Sequence, residues 1–440
     1  MKFTSRKQAH KPRHGPAIPA AASRLGALIL ATLAAVSFSL PRTATAEEEV
    51  AIHGFLSQGY LKTSGNNYLA RTKSGSWEYA EAAVNFSKSV ADDLSMGLQF
   101  FTRELGNLGN LEIELDWAFG DYSFRDDLSF RIGRIKMPYG LYGEIQDFDV
   151  VRSTVLLPQS VYYLAIRDLL VSFNGISIYG SLDATSLGTF DYQIFGGAVM
   201  IPNASESSIA YYFANEGYSA EADLQVFELT DVKNKYLIGA ALKWETSLEG
   251  LLLNGTVSHY QAKATGLVNP AFTKMLETLN QKPENWTENL KLDLKDIVFS
   301  VASVQYNREN FTGTFEYARY KSLNKSNLAP IIPHSSLDQI RWYGQLEYRL
   351  SDYVQIATYY SYLYDKNDAE KVLTGAIPGH SAYMKDFAMS LRFDITDSWL
   401  LKLEAHYFDG TAQVYAIENK NHPNLERFWT LLGAKTTVTF

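Results

Sequence analysis

The chain has 440 residues, with 40 basic and 48 acidic side chains, 28 tyrosines, 24 phenylalanines and no cysteine. The missing cysteine excludes a disulfide framework, and the acidic balance excludes a nucleic-acid partner of the usual electrostatic kind. Setting aside the seven basic residues of positions 1–46 leaves 33 basic against 48 acidic residues, a net charge of −15.

Positions 1–46 read as a secretory signal peptide. Lys2, Arg6, Lys7, Lys11, Arg13 and Arg24 form a basic leader without acids, 25–40 is apolar and rich in small residues, and Ala44-Thr45-Ala46 is an A-x-A cleavage site before Glu47. The apolar stretch is shorter than the roughly 20 residues a spanning helix needs. No later stretch has the length and apolarity of such a helix. Residues 47–440 are therefore either exported as a soluble protein or built into a membrane as strands.

Alternation of apolar and polar residues, the period of a strand with two unlike faces, recurs along the rest of the chain. It predicts strands at 51–62, 77–89, 95–105, 111–124, 128–136, 170–182, 189–199, 236–245, 251–261, 296–307, 311–321, 338–350, 353–364, 382–394, 398–409 and 428–440. That is sixteen, an even number as single-chain bacterial barrels have. The connectors alternate in length. Short ones such as Arg125-Asp126-Asp127, Arg308-Glu309-Asn310 and Ser351-Asp352 carry Asp or Asn, which suit tight turns. Long ones lie at 63–76, 106–110, 137–169, 200–235, 262–295, 322–337, 365–381 and 410–427. This asymmetry predicts an all-β fold: a transmembrane antiparallel up-and-down β-barrel with tight turns at one rim and long loops at the other.

The two faces of each strand have different chemistry. In 338–350, Ile340, Trp342, Leu346, Tyr348 and Leu350 oppose Arg341, Tyr343, Gln345, Glu347 and Arg349. In 398–409, Leu401, Leu403 and Tyr407 oppose Lys402, Glu404 and His406, and in 111–124, Leu111, Ile113, Leu115, Trp117 and Phe119 oppose Glu112, Glu114 and Asp116. A Lys or Arg facing lipid at the midplane costs about 2–4 kcal/mol, so the charged face must line the interior. Inward parity gives the basic set Arg103, Arg131, Lys243, Arg341, Arg349, Arg392, Lys402 and Lys435. The acidic set is Glu81, Glu112, Glu114, Asp116, Glu245, Glu316, Glu347, Asp386 and Glu404.

Three stretches are sharper than the general plan: Gly133-Arg134-Ile135-Lys136-Met137-Pro138-Tyr139-Gly140, Leu156-Leu157-Pro158-Gln159-Ser160, and the closing aromatic Phe440. On these the chain resembles Gram-negative outer-membrane porins, specifically the phosphate-selective-porin-like group. The resemblance implies that the third long loop, 137–169, folds into the barrel, and that the barrel forms a homotrimer. It also implies an outer-membrane location among lipid and lipopolysaccharide, with Phe440 as the signal read by the barrel-assembly machinery. On that reading Glu144, Asp147, Asp149, Arg152 and Arg167 would shape the pore constriction, or pin the loop to the wall by ion pairs. The balanced inward charges depart from the ladder of unmatched cations that a phosphate path requires.

The expected function is a water-filled channel for small ions and hydrophilic solutes, with no cofactor and no metal. The alternative is a receptor or adhesin barrel acting through 200–235 and 262–295. A barrel enzyme is a third reading, but the chain has no G-x-S-x-G, H-E-x-x-H or P-loop motif, and its histidines are scattered.

Overall fold

The computed structural model describes residues 50–201, 207–219, 222–420 and 424–440. The expected signal peptide therefore lies outside the described residues. Sixteen antiparallel strands form one closed barrel. They are β1 (Ala51–Thr63), β2 (Tyr79–Ala91), β3 (Leu94–Leu105), β4 (Glu114–Arg125), β5 (Leu128–Lys136), β6 (Ser172–Asp183), β7 (Gly188–Ala198) and β8 (Phe227–Thr246). The second half is β9 (Leu251–Val268), β10 (Asn289–Arg308), β11 (Phe311–Ser326), β12 (Ser335–Ser351), β13 (Val354–Asp365), β14 (Tyr383–Thr396), β15 (Trp399–Gly410) and β16 (Phe428–Thr439). Each strand pairs with its sequence neighbours, and β16 closes on β1 with Tyr60 opposite Ala434 and Phe55 opposite Thr439. No helix among the described residues is long and apolar enough to cross a membrane.

The period-two partition appears as expected. Met96, Ile132, Ile194, Ile238, Leu346, Met389, Tyr407 and Leu432 are exposed on the outer wall, while Gln99, Glu316, Arg341, Lys402, Glu404, His406 and Lys435 are buried inside. Charges thus avoid the surface where lipid could not solvate them.

Two features differ from the sequence reading. First, β8 to β11 are longer than expected: β8 begins at Phe227 rather than 236, β9 runs to Val268, β10 begins at Asn289 and β11 runs to Ser326. The added ends place Lys233, Lys263, Lys291 and Asp293 between buried Leu229, Ala262, Ala264, Leu290, Leu292 and Leu294, so the alternation continues with the ladder past the expected ends. Register shifts between Leu229 and Asp231 and between Asn234 and Tyr236 interrupt the period in β8.

Second, β4 begins at Glu114, not 111, and carries a bulge. Gln99 pairs with Trp117 but Phe100 pairs with Leu115, leaving Asp116 as an extra residue. Beyond it the parity inverts. Trp117 and Phe119, expected on the outer wall, share the inner face with Asp121 and Arg131; the Arg131 guanidinium lies 4.4 Å from the Phe119 ring centroid and 2.8 Å from Asp121. Leu115 stays outside, and the inversion brings Tyr122 and Phe124 outside as well.

The interior is also less uniformly polar than expected. Inward-facing Leu61, Phe173, Phe195, Leu237, Tyr260, Phe299, Tyr320 and Trp429 form one buried apolar cluster with Met137, Val155, Leu156 and Val161 of the third long loop.

Closure depends on a tight contact. Gly54 exchanges backbone hydrogen bonds with Phe440 at 3.0 Å in both directions. A Cβ on Gly54 would lie 2.5 Å from the Phe440 ring and 2.5 Å from the Ala83 carbonyl oxygen. Gly54→Val should destabilise the closing seam by about 1–3 kcal/mol, as overpacking does. Deleting Phe440 should act on the same seam. Both variants are expected to show less heat-modifiable, folded barrel on cold gel electrophoresis than the parent chain.

Candidate functional site: a loop pinned across the interior

The connector between β5 and β6, residues 137–171, holds short turns and single helical turns rather than strands. Its entry is set by Gly140, at φ +61°, where a Cβ would sit 2.5 Å from the Tyr162 hydroxyl and 2.8 Å from a Glu316 oxygen. Only glycine accommodates that combination of backbone and space. The backbone groups of so long an interior loop cannot all reach water. The inner wall supplies partners for many of them.

On β11, Glu316 is fully buried and accepts from the Leu141 N–H at 3.0 Å and the Tyr162 and Tyr343 hydroxyls at 2.6 Å each. Ser303 on β10 donates to it at 2.5 Å. On β15, Glu404 accepts the Val155 and Leu156 N–H groups at 2.8 and 3.0 Å. His406 bridges Glu404 at 2.8 Å and Asp386 at 3.0 Å. Loop carbonyls are met by Ser390 Oγ on Ser153 at 2.9 Å, Lys402 Nζ on Thr154 at 3.1 Å and Arg341 on Ser160 at 3.0 Å. Thr256 on β9 donates to the Pro138 carbonyl at 2.7 Å. These donors and acceptors lie on strands far apart around the barrel, so the loop crosses the interior.

Two ion clusters complete the attachment. Lys136 Nζ lies 2.7 Å from Asp116 and 2.5 Å from Asp147, and Arg167 lies 2.8 Å from Asp147 and 3.4 Å from Asp116. Asp149 meets Arg152 and Lys402 at 3.1 Å each and Lys435 at 3.2 Å, and accepts from the Thr437 hydroxyl at 2.8 Å. Lys435 also pairs with Glu81 at 2.6 Å. The bulge at Asp116 belongs to the first cluster, since the extra residue delivers its carboxylate to Lys136 and Arg167.

The five residues expected at a constriction therefore divide. Asp147, Asp149, Arg152 and Arg167 are at most 7% exposed and ion-paired. Glu144 keeps 44% of its side chain open and lies 3.8 Å from Arg131. Among the inward charges, Arg341 stacks over Tyr320, Glu347 accepts from Gln345 and from Gln355, Arg349 pairs with Asp394 at 3.4 Å, and Arg103 donates to the Leu108 carbonyl at 2.9 Å. Glu112 is exposed and precedes β4, so it borders a cleft with Glu114 instead of facing inward from a strand. Sequence reasoning placed Glu316, Glu404, Lys402 and Lys435 on the inner wall but did not foresee them as anchors of the loop. The available signal was the count of carboxylates and backbone groups in 137–169 that would need partners once inside.

Burial works against the Asp147 charge, but Arg167 and Lys136 beside it hold its carboxyl below the usual range. Asp149 follows the same balance, with Lys402, Lys435 and Arg152 outweighing burial. A carboxyl depressed in the folded state contributes stability above its unfolded pKa, near 4, and loses it as pH falls through the lower folded value. The loop should therefore stay attached from neutral pH down to about pH 4, seen as unchanged protection of 137–171 from limited proteolysis. Asp149→Asn leaves three buried cations short of a partner, which costs about 3–5 kcal/mol in such settings. The expected result is a lower unfolding midpoint and faster proteolysis within the loop.

No protein-family model matches the chain, and no curated protein matches its sequence. Solved structures do. Outer-membrane expressed OmpT of Vibrio cholerae aligns with TM-score 0.51 at 9% identity, covering 91% of this chain and 100% of that one. The outer membrane channel DcaP of Acinetobacter baumannii gives TM-score 0.50 at 9% identity, covering 91% and 99%. Salmonella typhi OmpF, in a complex with daunomycin, gives 0.50 at 11% identity, covering 89% and 98%. At these identities the likeness is one of fold: the chain has the closed barrel of outer-membrane proteins.

Proposed function

We propose that this chain is an outer-membrane porin, a passive channel for small hydrophilic solutes and ions. The observation that carries the reading is the partition of a closed sixteen-strand barrel into an apolar outer wall and a charged inner wall crossed by a pinned loop. DcaP, which shares the fold, is itself described as a channel. The same reading includes export after cleavage behind Ala46, insertion by the barrel-assembly machinery through Phe440, surroundings of lipid and lipopolysaccharide, and a homotrimer.

In this proposal 137–171 narrows the passage, and its members have separate tasks. Asp147, Asp149, Arg152 and Arg167 hold the loop in place. Selectivity falls to charges left wet on the interior. These include the acids Glu144, Asp191 and Glu245, against Lys243 and Arg349; Lys243 pairs with Glu245 at 2.5 Å and Asp191 at 3.6 Å. The excess of acid gives a weak preference for cations, because a narrow low-dielectric surround magnifies fixed charge. Phosphate selectivity is not part of the proposal, since most inward cations are neutralised by carboxylates.

Planar-bilayer recording of the purified barrel in a salt gradient tests this. Steady ohmic channels are expected, with a reversal potential on the cation side. Glu144→Gln should move it toward anions, and excising the middle of 137–171 should raise conductance. A barrel that never conducts, with or without the loop, would favour the receptor reading.

A further inference from the structure

Among the interior cations, Arg103 on β3 is set apart. It is 7% exposed, its Nη2 donates to the Leu108 carbonyl at 2.9 Å, and its Nη1 is buried without a hydrogen-bond partner. No ion pair among the described residues includes it, although Glu81 is its cross-strand neighbour, because Glu81 is taken by Lys435 at 2.6 Å. A buried guanidinium nitrogen without a partner is costly. It calls for an acceptor beyond those that the described residues supply.

Arg103 lines a polar cleft on the long-loop side of the barrel, together with Glu112, Glu114, Arg167, Asp168 and Ser208; Glu112 is exposed at its border and is not without a partner. The other charged groups there are committed. Arg167 is held by Asp147 and Asp116, and Asp168 accepts from the Ser208 N–H and hydroxyl at 2.9 and 2.8 Å. Glu114, at the start of β4, is half-buried and turns its carboxylate to the cleft. The enclosed space is about 40 Å³, enough for a head group and not for a bulky solute. An unmatched guanidinium beside the Glu114 carboxylate presents a donor fork and an acceptor, the complement of a molecule bearing both charges.

We propose that this cleft is a binding subsite for small zwitterions of the amino-acid type, with Arg103 taking the carboxylate and Glu114 the ammonium. It rests on the channel reading, in which such a solute pauses here on its way through, and it narrows that reading to a solute class.

Glycine is the probe, with acetate, methylammonium and acetamide as its halves and neutral counterpart. Binding is measured by calorimetry on the detergent-folded barrel, and occlusion of potassium chloride current in planar bilayers. Glycine should bind and occlude more strongly than any of the three. Arg103→Gln and Glu114→Gln should each weaken it by about tenfold or more, the scale of one charge-assisted hydrogen bond, while Arg103→Lys retains part. Heat-modifiable mobility reports folding; should Arg103→Gln misfold, Glu114→Gln and the comparison of glycine with acetate decide the matter. Unchanged glycine affinity in either folded variant overturns the proposal, as does acetate binding as tightly as glycine. Conducting channels that never bind glycine overturn the subsite and leave the channel standing. Arg103-dependent binding without conductance does the reverse.

Discussion

A strand bordered by hydrocarbon can place its N–H and C=O groups only on another strand, so a sheet in a membrane must close on itself. Everything else in this chain follows from that closure. Once β16 pairs with β1, no edge remains, and each side chain has one of two destinations fixed by its parity. The outer wall is then apolar by necessity. The inner wall is free of that demand and can carry whatever the interior uses.

What the interior uses is unlike water over much of its extent. Glu316, Glu404, Asp147 and Asp149 are all nearly or fully buried carboxylates, yet each is satisfied differently. Glu316 meets only hydroxyls and one backbone N–H, whereas Asp149 meets three cations. Both arrangements bind the loop to the wall, one by neutral donors and the other by charge. Between them lies a continuous apolar cluster shared by loop and strands. A loop so held is a fixed part of the wall, because removing one partner would strand another in a dry place.

The barrel plan was legible because alternation and turn residues are local. Asp126-Asp127 and Ser351-Asp352 mark turns wherever they occur, and the Leu403–Glu404 or Leu346–Glu347 contrast marks a face without reference to any partner. Legibility failed at the ends of the long strands: register shifts break the period in 227–235, and 289–295, where buried Leu290, Leu292 and Leu294 alternate with Lys291, Asp293 and Lys295, falls in the expected connector although its period is in plain view. It failed again at Asp116, where one inserted residue inverted the parity of Trp117 and Phe119. The loop was legible in its place and its charges, but not in its attachments. Asp149 and Lys435 are 286 residues apart in sequence, and nothing local announces that they meet.

This distribution also separates two roles that one list of loop charges had merged. Buried ion pairs are little screened by salt and have no free field to offer a passing ion. Charges at a wet surface act on ions but hold nothing firmly. Glu144, with its open carboxylate near Arg131, belongs to the second kind, and Asp147 only three residues on belongs to the first. Neighbours in sequence thus differ in environment because the loop turns one toward the remaining water and the other into the wall. The loop's position is set by its dry groups; in the proposed channel its effect on a solute falls to the few groups it leaves wet.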